Sequence, residues 1–150
     1  MSELSILDAL KEANDVAGIK WLAFADLQKF NSFHDSANGL DYPVNLVVPY
    51  TLQPTLQRPI SKKTLQLQGW VLTRISQDTN DWRHPELQKD VIDPMTRLAE
   101  SFLLALTETT IADNSGQPPV ASIFAEYMWL SSHLFGVSYR CNLQIKGRAC

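Results

Sequence analysis

Phe135-Gly136-Val137-Ser138-Tyr139-Arg140-Cys141-Asn142-Leu143-Gln144-Ile145-Lys146 alternates without a break: odd positions are apolar or aromatic, even positions small or polar. Side chains of an extended backbone point to opposite faces in turn, so a period of two predicts one long strand with a buried face and a solvent face. A strand covered on one side belongs to an antiparallel sheet, and the preceding helix is the expected cover. The stretch sets the class as α+β, a mostly antiparallel sheet packed against a main helix, with an N-terminal amphipathic helix.

The N-terminal helix is read over Ser2 to Ala17, where Ile6, Leu7, Leu10, Ala13 and Ala17 recur at helical spacing. Ser5 with Asp8 is a capping pair, and Gly18 is the stop. Ile19 to Ala25 reads as a short strand and Asp26 to Asp41 as a long polar connection. Tyr42 to Pro49 is an apolar run with Pro43 and Pro49 confined to its ends, as ladder hydrogen bonding requires. Tyr50 to Lys63 reads as a projecting loop or loose hairpin extension.

Thr64 to Ser76 gives a second long strand, with Leu65, Leu67, Val71 and Ile75 on one side and Gln66, Gln68, Trp70, Leu72 and Arg74 on the other. Trp70 and Leu72 thus point away from the main core, under a loop or second helix or into a subunit contact. Val91, Met95, Leu98, Phe102 and Leu106 mark the main helix. Because Leu87 shares that phase, the favoured reading is a longer helix from about Pro85 kinked at Pro94, rather than one capped by Asp93. Asp113 to Pro119 is a break, Val120 to Leu130 a strand apolar on both sides, and Ser131-Ser132-His133 a turn. Hairpins around a central helix follow, with no β-α-β alternation.

At 150 residues the chain reads as a single domain, 1–150, large enough to bury a core without staples. Charged residues are 19%, below the roughly 25% usual in soluble domains, so much of the polar surface is Gln and Asn. Such a surface suits an ordinary solvent face or one covered later by a partner at low desolvation cost. The net charge of −3 and the scattered basic residues exclude a nucleic-acid footprint. Arg58 with Lys62 and Lys63 is the one basic concentration, read as a solvated loop. Cys141 and Cys150 lack metal spacing and read as unpaired, which fits a reducing compartment. No export signal and no membrane span are expected.

Catalysis needs a nucleophile, a base to activate it and a group to orient that base. His34, His84 and His133 are dispersed in loop or turn contexts without metal-ligand spacing. Asp78, Asp81, Glu86, Asp90 and Asp93 bunch at the start of the main helix, where its dipole accounts for them. No phosphate-binding glycine loop and no calcium loop is present. The expectation is no enzyme, no cofactor and no metal.

In order and local style the chain resembles the tail terminator, or tail completion, proteins of long-tailed bacteriophages. The likeness rests on the N-terminal amphipathic helix, the Tyr42-Pro43-Val44-Asn45-Leu46-Val47-Val48 opening, the long alternating strand Thr64 to Ser76, Ile92-Asp93-Pro94-Met95 inside a helix, and Ser131 to Arg140 near the end. Two features depart from it: the long Tyr50 to Lys63 insertion and the two-sided apolarity of Val120 to Leu130. The resemblance implies a virion structural subunit, a homo-oligomer in a hexameric ring. Such a ring caps the tail tube, stops polymerisation of the tube protein, and docks a head-completion or neck protein, while DNA passes through it ungripped. Within that expectation, Trp70, Leu72 and Arg74 are candidates for a lateral contact. The Thr51 to Lys63 loop, with Gln53, Gln57, Arg58, Lys62 and Lys63, is the candidate for axial docking. Another head-to-tail connector, or a small cytoplasmic ligand-binding module or enzyme, is the alternative.

Overall fold

The computed structural model describes residues 5–24, 43–74, 88–126 and 134–150. The connection Asp26 to Asp41, the turn Ser131 to His133, all three histidines and the segment around Trp82 lie outside the described residues. The first helix, α1, spans Ile6–Ala17. Ser5 is its N-cap, its hydroxyl accepting from the Asp8 backbone N–H at 3.3 Å, and Gly18 ends it at φ 76°. An L side chain pays for that left-handed conformation, so glycine is the natural stop there. Ile6, Ala9, Leu10 and Ala13 form the buried stripe that the spacing predicts.

Among the described residues, six strands form one mixed, mostly antiparallel sheet: β1 Trp21–Phe24, β2 Val44–Val47, β3 Thr51–Pro54, β4 Lys62–Arg74, β5 Ala121–Glu126 and β6 Leu134–Lys146. Their order is β1-β2-β4-β6-β5, with β3 beside β4. The spine is the antiparallel pair of β4 with β6, in register from Lys62 opposite Lys146 to Arg74 opposite Leu134. β2 and β3 share the other edge of β4 and are joined along it by the Val48 N–H bond to the Gln68 carbonyl, 3.0 Å. The Tyr50 to Lys63 segment is thus a hairpin, β3 and β4 around residues 55–61, rather than an unpaired loop. One pairing departs from the all-hairpin reading: β1 runs parallel to β2.

The main helix, α2, spans Asp93–Thr107 and continues from a π-helical turn, Gln88–Ile92. Ile92, at the N-cap position, is itself helical (φ −67°, ψ −46°) and supplies no side-chain cap. Pro94 has no N–H to give to the preceding turn, and the wider π spacing accommodates that missing bond. Within the described residues the longer helix is the correct reading. Thr96 Oγ1 donates to the Ile92 carbonyl at 2.8 Å.

Both helices lie on one face of the sheet, α2 over β4 and β6, and α1 against α2. The core they enclose contains Phe102, Leu106, Leu65, Leu67 and Val71, with Phe135, Val137, Tyr139, Leu143 and Ile145 from β6. All six odd positions of β6 are buried, as the alternation requires. The even positions divide. Arg140, Asn142 and Gln144 are exposed, but Gly136 and Ser138 are buried, so this half of β6 is covered on both faces. Val44, Leu46 and Leu72, on the face away from the helices, are likewise fully buried.

Candidate functional site

Starting from polar chemistry, the most developed arrangement is internal. Tyr139 OH donates to Asn45 Oδ1 at 2.7 Å, Asn45 Nδ2 donates to Asn14 Oδ1 at 3.1 Å, and Asn14 Nδ2 donates to the Ile19 carbonyl at 3.0 Å. Tyr139 and Asn45 are fully buried and Asn14 nearly so. Among the described residues no buried side-chain nitrogen or oxygen lacks a partner. Burial pushes the Tyr139 hydroxyl well above its ordinary value, against the Asn45 bond, which lowers it. A neutral phenol held in a closed chain of amides has no base to take its proton, so this network specifies packing and strand placement instead of reacting. Composition missed it. The signal was Asn45 inside an apolar run and Asn14 on the apolar stripe of α1.

The residues expected to form the lateral patch differ in burial. Leu72 is fully buried, Trp70 is half-buried, and Arg74 ends β4. Leu72 therefore has no surface to offer a partner, because the sheet's second face is covered at this level.

The expected axial loop is exposed at its tip. Gln53, Gln57 and Arg58 are exposed, and Leu56 is 88% accessible beside Ile60, at 41%. Leu56, Gln57, Arg58 and Ile60 border a depression of about 240 Å³. Lys62 and Lys63 are half-buried, and Lys63 Nζ donates to the Ala149 carbonyl at 2.6 Å. That ammonium ties the hairpin to the chain after β6. The Ser61 carbonyl accepts from the Gly147 N–H at 3.0 Å, and a Cβ at Gly147 would strike Ile60. The tip thus stands on a pinned base.

Further depressions lie among the described residues. A polar one of about 410 Å³ is bordered by Thr51, Gln66, Gln68, Arg140 and Asn142, which pairs hydrogen-bonding amides with one guanidinium and contains no nucleophile with a base. A more apolar groove of about 360 Å³ runs between α2 and β5, with Leu103, Leu104, Pro118, Pro119 and Ile123 along it, Glu100 at its rim and Cys141 in it. Leu104 is 62% exposed there, and burial pushes the Cys141 thiol up, away from thiolate chemistry. Sequence reading did not find this groove, because it joins a helix flank to an edge strand far along the chain. Among the described residues, no three His, Cys, Asp or Glu side chains come together in a way that could hold a metal, and no helix is long and apolar enough to cross a membrane.

Compared with models of known protein families and with curated protein sequences, the chain matches none.

Proposed function

We propose that this chain is a non-enzymatic virion subunit: a tail terminator that assembles as a hexameric ring, caps the tail tube, stops its polymerisation and joins it to the head or neck. The observation that carries the reading is a pair of different exposed surfaces set apart on one subunit, one beyond the end of the β4–β6 spine and one beside β5. One is the apolar, Arg58-bearing hairpin tip, and the other is the apolar groove beside β5. Rings close by heterologous contacts, which need two different patches on each subunit, whereas a two-fold dimer needs one self-matching patch. The scattered basic residues suit a ring through which DNA passes without being held. The sequence resemblance supplies the tail role and the ring number.

The test is the solution mass by light scattering with negative-stain imaging, alone and with tube protein. Rings of about six copies, or capping of tube ends by an otherwise monomeric chain, support the reading. Failure both to form rings and to bind tubes refutes it.

A further inference from the structure

The hairpin tip and the α2–β5 groove match each other in chemistry. The tip offers Leu56 and Ile60 as exposed apolar side chains around a single cation, Arg58. The groove offers Leu103, Leu104 and Ile123 as an apolar wall with a single anion, Glu100, at its edge. Leucine and isoleucine left this exposed mark contact surfaces more often when they cluster than when they scatter. A lone Arg facing a lone Glu fixes the register of such a contact more than it adds to its affinity.

The tip cannot enter its own groove. It begins beyond Lys62, whereas β5 starts opposite Cys141, which is paired with Leu67. The strand bordering the groove therefore begins about 15 Å along the spine from the base of the tip. The Thr55 N–H bond to the Lys62 carbonyl and the Gly147 N–H bond to the Ser61 carbonyl hold the tip at its own end of the sheet.

We propose that the tip Leu56 to Ile60 of one copy seats in the α2–β5 groove of a second copy, with Arg58 facing Glu100. Because the two surfaces are different and set apart on the subunit, each copy engages one neighbour with its tip and another with its groove. That is the head-to-tail arrangement from which closed rings are built. The contact deepens the ring reading above and rests on it only for closure.

Charge reversal tests the contact, since Arg58 and Glu100 are both exposed and their replacement leaves the core intact. Arg58→Glu and Glu100→Arg, each alone, are expected to weaken self-association about tenfold or more in sedimentation velocity, as like charges then meet. Mixing the two variants, or combining both changes in one chain, restores it, with circular dichroism unchanged throughout. Leu56→Ser weakens association in every background. A chain that stays monomeric up to millimolar concentration, or association that ignores both reversals or is not restored by their combination, overturns the contact. Association through this contact that yields open chains but neither rings nor tube capping upholds the contact and refutes the tail reading.

Discussion

The Tyr139 hydroxyl reaches across the full width of β4 to Asn45, two strands away, and it passes over Gly69, its own partner in the β4–β6 register. The ring packs against Phe102 of α2 with centroids 5.8 Å apart and planes tilted by 52°. One side chain thereby joins three strands and the main helix. Its polar end continues through Asn14 to the chain leaving α1.

The first prediction concerns this coupling. Tyr139→Phe removes a donor from a buried amide and is expected to cost about 1–3 kcal/mol in urea denaturation. Asn45→Leu strands both the phenol and the Asn14 amide and costs more. The double variant should fall short of the sum by about 1 kcal/mol or more, as contacting residues do in a double-mutant cycle. Strictly additive losses would show that the two groups do not act together.

Gly69 gives the second. A Cβ there would lie 2.5 Å from the Leu46 carbonyl oxygen, 2.6 Å from the Tyr139 hydroxyl and 2.8 Å from its Cζ. Gly69→Ala should destabilise by about 2 kcal/mol or more, the scale of overpacking in a closed core. Adding Tyr139→Phe should relieve only part of the loss, because the Leu46 backbone remains in the way. Thermal melts of the two variants decide it.

The third follows from burial of the same phenol. Its folded-state value is raised above the ordinary 10.0, so only the unfolded chain ionises just above that pH. The neutral phenol's contribution is complete below about pH 10 and is lost as pH rises past it. Between about pH 8 and about pH 11, urea midpoints of the wild-type chain should fall more steeply than those of Tyr139→Phe. Parallel curves would argue against a buried neutral phenol.

The fourth lies in the turn after α2. The Ser115 hydroxyl, at 2.6 Å, and then its backbone N–H, at 3.0 Å, donate to Asp113 Oδ1 and hold that carboxyl below its ordinary 3.8. A depressed carboxyl contributes above its unfolded value, and the contribution disappears as pH falls through the folded one. Ser115→Ala should move the Asp113 titration upward when followed by NMR at the carboxyl carbon. An unmoved titration would mean that the hydroxyl bond does not persist in solution.

What the sequence made legible follows from how local each signal is. The two long strands, the capped first helix and the proline-interrupted main helix are carried by period, caps and ring geometry within a few residues. The exposed tip at Arg58 was legible in the same way, from prolines and polar residues that cannot enter the core. Ser138 misled, because alternation reports which residues share a face but not whether a second layer covers it; Leu72 lies on the far face as read, and its burial there is the covered one of the arrangements the pattern left open. The parallel β1–β2 pair and the Asn14–Asn45–Tyr139 chain depend on residues far apart in sequence. Only the strand order reveals that Asn45 sits under Tyr139.

The register of β4 with β6 has a mechanical meaning. The two strands run side by side for 13 residues each, a stiff beam about 40 Å long. One end, at Gly136 and Ser138, is clamped from both faces, while the other carries the Leu56 tip into solvent. Anything that grips the tip loads a cantilever. The torque is borne by the paired backbone and the packed Tyr139 root, so whatever docks at the tip meets a fixed strut whose position is set by the body of the subunit.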